Sequence, residues 1–198
     1  MISDRARFDK ATARFDAANS EDPNKEVFEG VEHPKELLYA RRMSAWLKVL
    51  EPGASEALRL AARCQHIRRW TIPRSNYPAN RAGYHQWRTM LANFHAETAG
   101  DILKSTGYDD ATIERVQALL RKEKLKLDPE TQLLEDVICL VFFENYLAGF
   151  ATHHDQQELI GILRNIWKKM SPRGQQAALA LKLAPELRAI VEKALSAA

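Results

Sequence analysis

The chain has 198 residues, of which 45% are hydrophobic and 28% charged, and carries a formal net charge of +3. A chain of that size buries a core of its own, so it needs neither disulfides nor a structural metal to fold. The slight positive charge by itself excludes no partner class and names none.

Two cysteines are present, Cys64 in LAARCQHI and Cys139 in DVICLVFF. Free Cys in an apolar run behaves as a small buried hydrophobe, and without a C-x-x-C pair there is no thiol redox motif and no cysteine zinc site. The opening MISDRARFDKATARF is too charged for a secretory leader, and the longest apolar run, residues 137–143, is far too short to span a bilayer. A soluble cytoplasmic protein, off the membrane, is expected.

Period-2 alternation persists nowhere, whereas helical spacing runs almost throughout. Residues 4–18 predict an amphipathic helix with Phe8, Ala11, Phe15 and Ala18 on one face. Residues 19–33 hold Asn, Ser, Asp, Pro and Gly and predict an irregular connector. A helix then begins near Pro34, which suits a first-turn position, and carries Leu37, Leu38, Met43, Trp46 and Leu47 toward a core. Pro52-Gly53 ends it, and Ser55 opens the next, expected to reach about Trp70. Residues 71–82 predict a loop. From Gly83 to about Lys104 the stripe Trp87, Leu91, Phe94, Thr98 and Ile102 marks a long helix. Asp109 or Asp110 caps another, with Ile113, Val116, Leu119 and Leu120 inward. Asp128-Pro129 starts a helix that is apolar nearly all round over 137–143 and therefore central. Helices over 156–167, 172–183 and 185–197 close the chain. The fold class is all-α: a compact helical bundle, one domain over 1–198, with a core over about 34–150 and C-terminal helices over 155–197 packed on it.

Charge is unevenly placed. From Arg41 to Arg88 stand ten Lys or Arg, nine of them Arg, against two acids, Glu51 and Glu56. Arg offers a planar fork matched to phosphate and carboxylate. Arg68, Arg69, Arg74, Arg81 and Arg88 interleave with Trp70, Tyr77, Tyr84 and Trp87, the composition of a surface that holds phosphate and stacks a base. The plainer alternative is a surface loop whose arginines pair with acids elsewhere. His66 follows a run of apolar and small residues, His95 lies beside the core stripe, and Asp136 opens VICLVFF, where a carboxylate needs a partner. Each His alone more often serves the core. Together, two His and one Asp on three helices can converge on a metal inside a bundle. His153-His154-Asp155 reads as a helix cap, and Lys122, Lys124 and Lys126 as cations at a helix C-terminus. There is no Gly-rich phosphate loop, no GxSxG elbow and no H-E-x-x-H.

The segment order resembles the HD-domain metal phosphohydrolases. LAARCQHIRRW resembles that family's His-Asp helix, with His66 as the His. HAETAGDIL resembles its later His helix, led by His95, and LEDVICLVF resembles its final Asp helix, with Asp136. Tyr39, in LLYARRMSAWL, stands where the first His would be, and Ile67 where the motif Asp would be. The resemblance implies an HD-domain-like bundle with Tyr39 lining the pocket, and with two ligand positions changed it leaves two alternatives: His66, His95 and Asp136 hold one divalent transition metal, joined by Gln65 or Glu135, or the metal is lost and nucleotide binding is kept. Over roughly residues 15–195 the chain also resembles the DUF4202 family, through PKELLYARRMSAWL, ASEALRLAARCQHIRRWTIPR, YPANRAGYHQWR, LEDVICLVFFE and WKKMS. That resemblance supports the fold and assigns no activity.

Two functional expectations follow. The first is a divergent phosphohydrolase acting on a nucleotide or nucleic-acid phosphate. Tyr39, His66 and Asp136 would be at its catalytic centre, with Arg41, Arg68, Arg69, Arg74, Arg81 and Arg88 on phosphate and Tyr77 or Trp87 stacking a base. The second is a non-catalytic nucleotide- or RNA-binding module using the same arginines. The expected partner is a phosphate-bearing small molecule or RNA.

Overall fold

The computed structural model describes residues 4–195. The chain is all-α apart from one short hairpin among the described residues. Its helices group into two compact units, Met1–Thr131 and Gln132–Ala198.

The first unit opens with α1 (Asp4–Ser20), where Ala11 and Phe15 are fully buried and Phe8 half-buried. The expected connector over 19–33 instead contains β1 (Lys25–Phe28) paired antiparallel with β2 (Val31–Pro34), Phe28 opposite Val31. Glu29 and Gly30 turn the hairpin with positive φ, 51° and 77°, as a two-residue type I′ turn requires. Strands of four largely exposed residues show no buried alternation, so the sequence pattern missed them.

Next comes α2 (Lys35–Leu50). Pro34 is its N-cap rather than a first-turn residue, and it has no capping side chain. Buried Asp22 does that work from a distance, accepting from the Glu36 amide at 3.0 Å and the Asn24 amide at 2.9 Å. Glu36 is thereby fixed at the start of the helix.

In α3 (Glu56–Cys64) the expected cap is found: Ser55 Oγ accepts from the Leu58 amide at 3.1 Å. Leu58, Leu60, Ala61, Ala62 and Cys64 are buried, and the helix packs against α1, α2 and α5. It stops at Cys64, six residues short of the expected Trp70. Arg68 adopts a left-handed conformation (φ 50°), and its amide donates to the buried Asn19 Oδ1 at 3.0 Å. Two single 3-10 turns, Arg69–Thr71 and Arg74–Asn76, lead through the loop.

The long helix α4 (Arg81–Ser105) is capped by Asn80, whose side chain accepts from Gly83 at 2.8 Å. A Cβ at Gly83 would stand 2.3 Å from the Pro78 carbonyl oxygen, so the loop closes on this helix only with Gly there. The buried line is Trp87, Leu91, His95, Ala99 and Leu103, while Phe94, Thr98 and Ile102 are half-buried. The core stripe is therefore turned by about one residue from the expected one, and His95 lies on it instead of beside it. Asp109 caps α5 (Asp110–Arg121), which packs along α4 with Ile113, Val116, Leu119 and Leu120 buried.

In α6 (Pro129–Asn145), Val137, Leu140 and Val141 are fully buried, in keeping with the all-round apolar run. The rest of the second unit is α7 (Leu147–Ala151), α8 (Gln156–Trp167), α9 (Pro172–Leu179) and α10 (Pro185–Leu195). Asp155 caps α8 as expected, accepting from Gln157 and Glu158. α9 ends at Leu179, four residues before the expected 183, and α8 packs on α10. Both cysteines are buried, as expected. No helix among the described residues is long and apolar enough to cross a membrane.

Candidate functional site

The early end of α3 shapes the site. Gln65 and His66 fall on the turn after the helix, and the Ile67 carbonyl is released from helical bonding. His95, from α4, takes that carbonyl through Nδ1 at 2.8 Å. A carbonyl only accepts, so Nδ1 carries the hydrogen and Nε2 is a bare lone pair. His66 is fixed in the same tautomer by other means. The Arg69 guanidinium only donates, and its Nη1 lies 2.9 Å from His66 Nε2. His66 Nδ1–H then faces Glu36 Oε2 at 3.2 Å. The result is a relay in which Arg69 donates to His66 and His66 to Glu36.

The Tyr39 ring stacks on the His66 imidazole, centroids 4.0 Å apart and 10° from parallel. The two imidazoles lie 5.9 Å apart. Burial lowers the pKa of both histidines, His66 well below its usual value and His95 to about 3, with Arg69 and Arg88 adding to the effect. Burial pushes the Glu36 carboxyl up to about 7 against the pull of Arg69. The Glu36–His66 pair thus holds a proton that leaves near neutral pH.

His66 and His95 border a cleft of about 260 Å³ in the first unit. Arg69, Arg88, Arg121 and Lys122 line it, and no Asp or Glu does. Arg69 lies over the Trp87 ring at 4.9 Å, Arg121 stands 3.8 Å from Glu123, and Arg88 has no ion pair among the described residues. The floor is formed by Gln65 and His95, 5% and 3% exposed. Gln65 Oε1 and His95 Nε2 are buried there without a hydrogen-bond partner among the described residues. Exposed His85 and Thr89 stand on the rim.

Of the arginines expected to hold phosphate, Arg69 and Arg88 are in this cleft and the others are not among its lining. Arg74 spends its fork on the loop, donating to the Tyr77 carbonyl at 2.8 Å and the Pro78 carbonyl at 2.6 Å. Arg68 pairs with Glu21 at 2.6 Å, which is the plainer alternative realised. Arg41 and Arg81 are exposed, and Tyr77 is half-buried in the loop. Trp87 is buried with Nε1 donating to the Ile72 carbonyl at 2.9 Å, so Arg69 and not a base covers its ring.

Asp136 belongs to the second unit, and its carboxylate is taken up there. Oδ1 accepts from the Ser171 amide at 2.8 Å and from Gln132 at 3.1 Å, while Ser171 Oγ donates to Oδ2. A Cβ at Gly174 would meet Asp136 Cγ at 2.5 Å, so the carboxylate sits tight under the first turn of α9. Among the described residues no three His, Cys, Asp or Glu side chains stand together as a group that would hold a metal ion. With His66 Nε2 occupied by Arg69, Asp136 bonded by Ser171 and four cations around the cleft, these donors do not fit a metal centre.

Glu36, Arg121 and Lys122 are the residues that sequence reasoning missed. Glu36 looks like an ordinary acid in a helix first turn. Lys122 ends α5 in a left-handed conformation (φ 58°), with its amide bonded to the Leu119 carbonyl at 3.0 Å, a helix C-terminus as expected but one that also borders the cleft.

No curated protein and no solved structure matches the chain. A family model described as a domain of unknown function, DUF4202, matches residues 9–191. With nearly the whole length covered, the chain belongs to the DUF4202 family.

Proposed function

We propose that the cleft of the first unit binds a phosphate-bearing small molecule of about nucleotide size. The supporting observation is its lining: Arg69, Arg88, Arg121 and Lys122 without a carboxylate. Cations gathered in a partly enclosed cleft concentrate anions and form charge-assisted hydrogen bonds with phosphate oxygens. Arg88, half-buried and without an ion pair among the described residues, is the natural first contact. Calorimetric titration with pyrophosphate and with AMP tests the proposal. One saturable site is expected, weakened by salt and by Arg88→Ala. Equal affinity in Arg88→Ala would sink it.

A second reading, phosphate-ester hydrolysis, is favoured by the Glu36–His66 pair, poised to lose a proton near neutral pH beside His95. In this reading Arg69 leaves His66 Nε2 for the phosphoryl oxygens, which it and Arg88 offset in charge, and the lone pair so freed takes the proton of the attacking water, with Glu36 and Tyr39 orienting the imidazole. The order of segments resembling the HD-domain phosphohydrolases supports it as well. Release of phosphate from nucleoside monophosphates, abolished by His66→Ala with AMP binding retained, would carry it. Folded protein that binds AMP without turnover leaves the binding reading alone.

A further inference from the structure

Two atoms on the floor of the cleft are unlike everything on its rim. The rim is cationic and donates. The floor presents Gln65 Oε1 and His95 Nε2, both acceptors, both buried and both without a partner among the described residues. The His95 tautomer is not free to change, because Nδ1–H is committed to the Ile67 carbonyl. Protonation of Nε2 is also suppressed, since burial and the nearby arginines hold this histidine near a pKa of about 3. A fully ionised phosphate, rich in lone pairs, has no hydrogen to give to either of these two acceptors. Buried acceptors left unsatisfied are costly, so a ligand that satisfies them is selected over one that does not.

We infer that the ligand is a phosphate ester whose other end carries neutral hydrogen-bond donors, a pair of hydroxyls or an amine, set against Gln65 Oε1 and His95 Nε2 while the phosphate meets Arg88 and its neighbours at the rim. This rests on the phosphate reading of the cleft and adds the polarity of the ligand: donors inward, anion outward. It makes Gln65 and His95 determinants of specificity rather than of charge recognition.

The test is a ligand series on the wild-type protein: inorganic phosphate, ribose 5-phosphate, 2-deoxyribose 5-phosphate, AMP and IMP. Two satisfied acceptors are expected to favour donor-bearing esters over inorganic phosphate by about tenfold or more. AMP binding tighter than IMP assigns the floor to an amine, and ribose 5-phosphate binding tighter than its 2-deoxy form assigns it to hydroxyls. In Gln65→Met, which replaces the acceptor with an apolar chain of similar length, the ratio of ester to inorganic phosphate affinity should collapse. Inorganic phosphate bound as tightly as the esters would overturn the inference while leaving the phosphate site standing. So would esters that bind better yet ignore both the amine and the 2-hydroxyl. Stoichiometric binding of zinc alone, lost in His95→Phe, would overturn it in favour of a metal on the same lone pair. Failure of every phosphate compound to bind would remove the cleft reading and this inference together.

Discussion

Glu36 and His66 are ordinary residues made unusual by their neighbours. Glu36 faces His66 and Arg69 and feels the charges of Asp22, Lys35 and Glu26. Below about pH 7 its carboxyl is neutral and Arg69 presents its full charge to the cleft, whereas above it the carboxylate offsets that charge. Sulfate does not titrate in this range, so its affinity is expected to fall by about 3- to 10-fold as pH rises through 7. Glu36→Gln should flatten that profile, and an unchanged profile in the variant would contradict the assignment. At Arg88, truncation to Ala removes a charge-assisted contact worth about 1.5–3 kcal/mol, or roughly ten- to a hundredfold in pyrophosphate affinity. Arg74→Ala tells the two kinds of arginine apart. It frees the Tyr77 and Pro78 carbonyls and is expected to lower the melting temperature with little change in affinity. At this scale sequence reading named only part of the set of residues that lines the cleft. Arg69, Arg88, His66 and His95 stood out by type and spacing. Glu36 did not, because its meaning comes from a histidine thirty residues away in the chain.

At the scale of elements, caps and breakers were legible and tertiary terminations were not. Ser55, Asp109 and Asp155 cap their helices because a short polar side chain reaching an orphan amide is a local event. The stop of α3 at Cys64 is not local. It depends on Asn19, buried at the end of α1, capturing the Arg68 amide. The hairpin was invisible for a related reason: its residues are exposed and its anchor, Arg42 over Phe28 and bonded to Glu26, comes from another element. Asp136 gives the clearest test here. Its bonds to Ser171 and Gln132 make it the anchor of the first turn of α9. Asp136→Ala is expected to destabilise the protein by about 2–3 kcal/mol in urea denaturation while pyrophosphate still binds. Loss of pyrophosphate binding in folded Asp136→Ala protein would instead return this carboxylate to the site.

The whole molecule should respond to acid through its buried histidines. His66 and His95 are held neutral, with His95 lowered from 6.5 to about 3, so the unfolded chain takes up protons that the folded chain refuses. Their contribution is present above pH 6.5 and is lost as pH falls below it. Glu36, raised from 4.5 to about 7, acts in the opposite sense, its contribution present below 4.5 and lost as pH rises through 7. Between 4.5 and 6.5 the two histidines outweigh the one carboxyl, so stability should fall with pH by up to about 1.4 kcal/mol per unit. Urea midpoints at pH 7.5, 6.0 and 5.0 check this, and a midpoint rising toward pH 5.0 would contradict it.

The most direct test of the central claim is a crystal structure of the protein with AMP. The phosphate is expected among Arg69, Arg88, Arg121 and Lys122, with donor groups of the nucleoside turned toward Gln65 and His95. AMP seated on the exposed Arg41 or Arg81, or a cleft left empty at saturating AMP, would contradict the account.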